Sequence, residues 1–443
     1  MQIEKEMAEV QKLVRFGLDC AAELGASGAE MAISRQAGLS VSTRLGEVEN
    51  VEFNKDGALG VTLYRGRSKG SASTSDLRPE AIREAVAAAD RIARLTGEDQ
   101  ASGLADRELM AFDYPDLDLC HPADLDAEQA IALARECEQA ALAADKRIVN
   151  SEGASFNSHA GFKVYGNSHG MIGAYPSSRH SLSCVVIAQD GEQMERDYDY
   201  SLARRLGDLD DARTLGLKAA DKTLARLGAR KLGTMQVPVL FAADVATGLW
   251  GHLVGAISGG SLYRKASFLC DHLGKAILPD FVNIHEDPLL PVGLASSPFD
   301  SEGVITRARD IVRGGVLETY LLTSYSARKL GLATTGHAGG IYNWFVDGNG
   351  DDFDAMVRRL DKGLVVTELM GQGVNMVTGD YSRGAAGFWV ENGKIQYPVH
   401  EITIAGNLKE MLAGIQAIGS DQERRAGIHT GSVLIDKMTV AGS

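Results

Sequence analysis

The stretch that decides the fold is Thr367–Val390, TELMGQGVNMVTGDYSRGAAGFWV, which runs into Glu391–Ile404, ENGKIQYPVHEITI. Six glycines punctuate short apolar and hydroxyl-rich runs across these two pieces. Glycine at that density in ordered chain means positive φ or close approach of backbones, which is how loops line a cleft. Upstream, Leu249–Ser261 reads LWGHLVGAISGGS. It carries one histidine where a metallopeptidase helix would carry two and a glutamate. A set of cleft-forming loops therefore stands beside an emptied metal motif.

Working outward, the second half of the chain reads as β-rich. Val237–Phe241 is an apolar strand, and Leu249–Ile257 a helix entered from Asp244. Ile305–Val312 and Val316–Thr323 flank Arg313-Gly314-Gly315 as a hairpin. Asn407 with Glu410 resembles a capping box for a helix through Ile418. Ser432–Val440 closes the chain as a strand.

The first half reads as helices around antiparallel strands. Met7–Leu24 has apolar residues at helical spacing and Gly25 just past its end. Ala29–Asp76 reads as strands, including Leu39–Thr43 and Leu59–Tyr64, with Asp56-Gly57 as a hairpin turn. Pro79 opens a helix, and Asp124–Ala143 is another. Arg147–Met194 returns to strand alternation, and Leu209–Leu227 is a helix ended by Gly228. Gly60–Gly70 (GVTLYRGRSKG) and Gly161–Gly170 (GFKVYGNSHG) look alike, which suggests a duplicated helix–strands–helix unit. The basic, glycine-containing stretch Gly228–Gln236 marks a boundary. The expected class is α+β, with an N-terminal domain over residues 1–230 and a β-rich C-terminal domain over 231–443.

Composition narrows the function. The chain has 443 residues, 44% hydrophobic and 23% charged, which suits a globular protein with sizeable cores. A net charge of −14 with no basic run argues against nucleic acid as a partner. No apolar run approaches the ~18–20 residues of a membrane span, and the N-terminus lacks a signal-peptide core. Five cysteines, an odd number without CxxC spacing, fit reduced thiols in a cytoplasm.

Each chemical motif has a plainer reading. The GxSxG matches at Gly66–Gly70 and Gly166–Gly170 lack the strand–turn–helix context of a nucleophile elbow and read as hairpin turns. Ser326-Ala327-Arg328-Lys329 fits SxxK, but its companion motifs are missing, so it reads as a solvated helix segment. Zinc needs three or four protein ligands, and none of the ten histidines stands in HExxH. Cys270 with His272, and His285 with Glu286 and Asp287, lack recognised ligand spacing. GQGVNMVTG matches neither a Walker loop nor a dinucleotide fingerprint. A polypeptide groove suits it better, because strand edges can pair with a substrate backbone. Gly371, Gly373, Gly379 and Gly384 are the candidate wall of a peptide channel.

Long specific strings then point to a family. GHLVGAISGGSLYRKASFL from Gly251, SSPFDSEGV from Ser296, LLTSYSARKLGL from Leu321, TGHAGGIYNW from Thr335 and VVTELMGQGVNMVTGDYSRGAAGFWVENGKIQYPV from Val365 resemble the TldD/PmbA family, within it the PmbA, or TldE, subunit type. The resemblance spans essentially the whole chain. In that family the TldD-type subunit carries HExxxH on a helix. The matching window here is His252–Ile257: His252 falls on the first histidine, Leu253 replaces the glutamate and Ile257 the second histidine.

The resemblance implies one subunit of a cytoplasmic zinc protease complex, with zinc held by a TldD-type partner and none in this chain. It implies extended or unfolded peptides as substrates, as in trimming of a peptide-antibiotic leader or degradation of an antitoxin. A homodimer is one state open to the isolated chain, and the sequence alone does not decide whether it self-associates. Two other readings of the sequence stay open: an autonomous peptidase with an unrecognised site, and a non-enzymatic regulator of a toxin or DNA gyrase.

Overall fold

A computed structural model describes residues 2–442 as a mixed α+β chain. The first half is α1 (Ile3–Glu23), β1 (Gly28–Arg44), β2 (Glu47–Arg65), β3 (Ser68–Thr74) and α2 (Pro79–Leu95), then α3 (Ala127–Ala144), β4 (Ile148–Asn167), β5 (Ile172–Asp190), β6 (Gln193–Ala203) and α4 (Ala212–Ala225). Local signals set most ends. Gly25 takes φ +73° just past α1, Pro79 is the first residue of α2, and Asp126 and Gln129 cap α3 reciprocally.

These six strands form one antiparallel sheet in the order β3-β2-β1-β4-β5-β6. The order is palindromic in architecture: α-β-β-β-α occurs twice, and the two copies meet along β1 and β4. α1 and α2 bury Met31, Ile33, Leu59 and Leu63. α3 and α4 bury Leu39, Val41, Phe156 and Val186. The repeat is therefore present, but the two look-alike segments do not correspond within it. Gly60–Gly70 spans the β2–β3 hairpin, whereas Gly161–Gly170 enters the β4–β5 hairpin, whose counterpart is β1–β2. Both GxSxG stretches are hairpin turns, as their context suggests.

The Asp56-Gly57 turn is corrected. Both residues lie inside β2, opposite Gln36 and Arg35. The chain reverses instead at Leu45-Gly46, where both residues take positive φ (52° and 82°). The buried Glu138 of α3 holds that turn, accepting from Leu45 N at 2.7 Å and Gly46 N at 2.9 Å. A long-range carboxylate thus places a turn that local propensity put elsewhere.

The rest of the chain runs β7 (Met235–Phe241), α5 (Ala243–Ile257), α6 (Gly259–Tyr263), β8 (Ile284–Asp287), β9 (Arg309–Arg313), β10 (Val316–Leu317), α7 (Ser324–Leu330), β11 (Asn343–Val346), α8 (Phe353–Leu360), β12 (Gly363–Met370), β13 (Asp380–Glu391), β14 (Lys394–Asn407), α9 (Leu408–Ala413), β15 (Ile415–Ile418), β16 (Ile428–His429) and β17 (Val433–Gly442). β14-β13-β12-β7-β17-β15 form one sheet, and β14 also pairs with β17, closing five of the strands into a ring. β10-β9-β8-β11-β16 form a smaller sheet. The expected helix through Ile418 is corrected: α9 stops at Ala413, and Ile415–Ile418 pairs with β17 instead. Asn407 does cap it, accepting from Lys409 N, without the reciprocal bond of a capping box.

The first sheet meets the rest through the face opposite its helices. Phe299 inserts edge-on between Tyr114 and Tyr175, with ring centroids 5.1 and 5.4 Å away, beside Tyr165, Met171 and Val304. No helix among the described residues is long and apolar enough to cross a membrane.

Candidate functional site

α5 reads ADVATGLWGHLVGAI and is apolar nearly all round, which dictates a buried helix. Leu249, Trp250, Leu253, Ala256 and Ile257 join the main core. Trp250 Nε1 donates to Thr430 Oγ1 at 2.9 Å, satisfying its one polar atom.

The three motif positions separate on this helix. Leu253 and Ile257 are wholly buried. His252 is half-buried, edge-on to the Tyr381 ring at 5.8 Å. Burial, and then the nearby Arg383 guanidinium, holds the His252 imidazole below its ordinary pKa. Among the described residues no three His, Cys, Asp or Glu side chains converge as a metal site. Leu253 and Ile257 are hydrocarbon and offer no atom that could hold a zinc ion.

The other candidate clusters are structural. Glu286 is buried and receives Trp344 Nε1 at 2.9 Å and Tyr342 N at 3.2 Å, with His337 Nε2 also 2.9 Å away. His285 instead stacks on Phe345. His272 Nδ1 meets the Cys270 carbonyl at 2.7 Å, not its thiol. The SxxK segment is only partly solvated, contrary to expectation. Ser326 is buried in a capping box with Thr323, while Lys329 reaches out to Asp99 at 2.8 Å. The serine fills the first turn of α7, and only the lysine end faces water.

The glycine-rich loop joins β12 to β13 and folds back on α5, with Met376 Cε against Gly255. Gly371 and Gly379 take φ +77° and +84°. A Cβ on Gly373 would strike the Ser382 carbonyl, and one on Gly384 would only touch Met370. Ser382 N donates to Gly373 O at 2.7 Å, so that close approach serves the loop's own closure.

A cleft of about 690 Å³ opens beside this loop, between the two halves of the chain. One wall is Arg196–Tyr200 of β6 with residues of α4. The other is the first turns of α5, Thr367–Leu369 of β12, and Arg383. None of the four glycines lines it. Asp244 faces the cleft from the first turn of α5, and surrounding protein pushes its carboxyl above the usual range. Sequence reasoning missed this wall of β6 residues, which nothing local distinguishes from other edge residues. Arg383 did leave a trace: it interrupts an otherwise apolar or small inward row, Tyr381, Ala385.

Three family models match this chain: PmbA/TldA metallopeptidase domain 1 over 29–93, the central domain over 120–227 and the C-terminal domain over 234–442. The chain belongs to the PmbA/TldD metallopeptidase family. The metalloprotease PmbA of Escherichia coli O157:H7 is 59% identical over 100% of this chain and 99% of that protein. A Haemophilus influenzae PmbA homolog is 56% identical over 100% and 98%. A Bacteroides thetaiotaomicron protein proposed as a modulator of DNA gyrase shares the fold with a TM-score of 0.92, at 27% identity over 98% of this chain and 99% of that one. TldE from Thermococcus kodakarensis has a TM-score of 0.80 at 20% identity over 98% and 100%, a likeness of fold alone.

Proposed function

We propose that this chain is the subunit without zinc in a cytoplasmic, heteromeric TldD/TldE-type metalloprotease that cleaves extended or unfolded peptides. One observation carries the reading. The helix that resemblance aligns with HExxxH puts Leu253 and Ile257 into the core, where neither position can turn toward a metal without emptying it. The zinc, and the glutamate that activates its water, then belong to a TldD-type partner. Family naming as metalloproteases supports peptide hydrolysis as the shared activity. Peptide-antibiotic leaders and antitoxins are the proposed substrate class.

The purified chain is expected to hold no stoichiometric zinc after dialysis and to cleave nothing alone. Mixing with a TldD-type chain that carries HExxxH should give a complex and peptide cleavage. His252→Ala should reduce that cleavage only modestly. One tightly held zinc per chain, or a His252→Ala loss on the scale of removing a metal ligand, would overturn the reading. The glycine-rich loop as channel wall is a separate part of the proposal. Gly373→Val tests it badly, because the new side chain would first strike Ser382 and lower stability. Gly384→Ala has room against Met370, so lost turnover at an unchanged melting temperature would mark a channel position.

A further inference from the structure

Arg383 sits where β13 should be apolar. Its neighbours on the same strand face, Tyr381 and Ala385, belong to the main core that α5 covers. The Arg383 Nε is shut off from solvent and has no hydrogen-bond partner. The other cations lining the cleft are matched: Arg196, Lys222, Arg226 and Arg425 each have a carboxylate oxygen within 3.0 Å. Arg383 has none among the described residues. Arg383 as a whole is half-buried beside Tyr381, with only its Nε sealed. A partly buried cation that lacks the counter-charge its neighbours have is open to an anion. The free cation thus marks a place for an anionic group brought from outside.

The cleft around it has the volume of a ligand site. Its far wall is β6, the terminal strand of the first sheet. Five consecutive residues, Arg196 to Tyr200, line it. Successive side chains of a strand point to opposite faces, so the edge of β6 looks into the cleft, not one face. No strand pairs with that edge among the described residues. Side chains alone touch it: Arg425 donates to the Tyr200 carbonyl at 2.7 Å, and the Tyr198 N–H donates to Asp197 Oδ1 at 2.8 Å, a bond that a peptide would displace. An open edge can take an extended peptide by main-chain hydrogen bonds. On the near wall β12 is bulged between Val366 and Glu368, which leaves Thr367 out of register at the cleft.

We propose that this cleft binds an extended peptide segment along the β6 edge, with a carboxylate of that segment seated on the Arg383 guanidinium. The carboxylate is either the peptide's C-terminus or an acidic side chain. Arginine suits it, since its planar fork matches two carboxylate oxygens. The neighbouring His252, kept neutral by burial, adds no competing charge. The choice of a peptide rests on the protease-subunit reading, whereas the anion site itself does not.

The test uses the full chain alone, without any zinc subunit, and reads binding by fluorescence anisotropy. Three short, N-terminally labelled peptides of small residues are compared: one with a free C-terminus, one amidated, and one amidated with an internal glutamate. At least one carboxylate-bearing peptide should bind about tenfold tighter than the plain amide, a difference near 1.4 kcal/mol. Which one does so identifies the carboxylate. Arg383→Gln should abolish the difference without lowering the melting temperature, because it removes an unpaired cation. Arg383→Lys keeps the charge but not the fork, and should fall between the two. Equal affinity for all three peptides, absence of binding, or a preference that survives in Arg383→Gln would sink the proposal. So would inorganic phosphate binding at Arg383 more tightly than any peptide. Because no cleavage is read, failure to reconstitute a protease leaves this result standing, and the converse holds.

Discussion

The β2 edge and the β5 edge of the first sheet hold equivalent places in the two α-β-β-β-α halves, yet they are finished differently. β3 pairs only with Leu59–Arg65, leaving Glu47–Ala58 of β2 without an outer neighbour. β6 likewise pairs only with His180–Asp190, leaving Ile172–Arg179 of β5. The β5 stretch is then covered by the chain itself. Tyr114 Oη accepts from Ala174 N at 2.8 Å and donates to Ala174 O at 3.0 Å. Ser178 N donates to Leu119 O at 2.9 Å, and Pro176 has no N–H to satisfy. The β2 stretch has no such cover among the described residues. Phe53 is 73% exposed there, on the same face as the buried Leu39. What protects this edge is charge: Glu47, Glu49, Glu52, Lys55 and Asp56 discourage another strand from pairing. Duplicated architecture does not carry duplicated environment. Whichever copy faces the rest of the chain has its edge sealed, and the other is left to its own side chains.

Four measurements would break or sharpen this contrast. The largest effect is expected at Asp300, in the loop that packs on the sealed half beside Phe299. Burial, then Glu302, pushes its carboxyl up to about 7, although three backbone N–H groups donate to it. The folded state therefore binds this proton more tightly than the unfolded chain, whose carboxyl titrates near ~3.9. Its contribution is fully present below that value and is lost as pH rises through about 7. The ceiling is about 4 kcal/mol, from about three pKa units. Melting temperature should fall over this window, and Asp300→Asn should flatten the slope. An unchanged slope would show that the seal is not strained by a buried carboxylate.

Next is Glu138→Ala, which removes the carboxylate that ties the bare half's hairpin turn to α3. Two charge-assisted bonds to backbone are lost, and Leu45 keeps its positive φ unaided. A loss of about 3 kcal/mol is expected in denaturant unfolding. A loss under ~1 kcal/mol would mean the turn holds itself.

Tyr114→Phe tests the seal directly. It leaves the Ala174 N–H and C=O without their partner and should cost about 1–2 kcal/mol. Faster hydrogen exchange at Ala174 should accompany it.

The smallest effect is expected on the bare edge. Phe53→Ser should change stability by less than ~0.5 kcal/mol, since the ring is already largely in water. A loss as large as that of Tyr114→Phe would mean the edge is covered in solution, and the contrast would fail.

Much of the fold was legible in local chemistry. Helix α1 with Gly25 behind it, α2 opened by Pro79, and the hairpin at Gly314-Gly315 all follow from side-chain period and backbone freedom within a few residues. So do the two GxSxG turns, where no helix follows the serine. That Leu253 and Ile257 carry no metal-binding atom was equally plain, because both are hydrocarbon whatever surrounds them. Sequence could not place the β1–β2 turn, because Glu138, more than ninety positions from Leu45, decides it. Nor could it stop α9 at Ala413, where pairing of Ile415–Ile418 with β17 outweighs helical continuation. The cleft was hidden for the same reason: β6 and β13 lie far apart in sequence and meet only when the two halves pack. Local propensity and the identity of each side chain are properties of the chain alone. Which edges are sealed, which turn is held, and which arginine is left without a carboxylate are set by contacts between distant segments, and only the packed structure decides them.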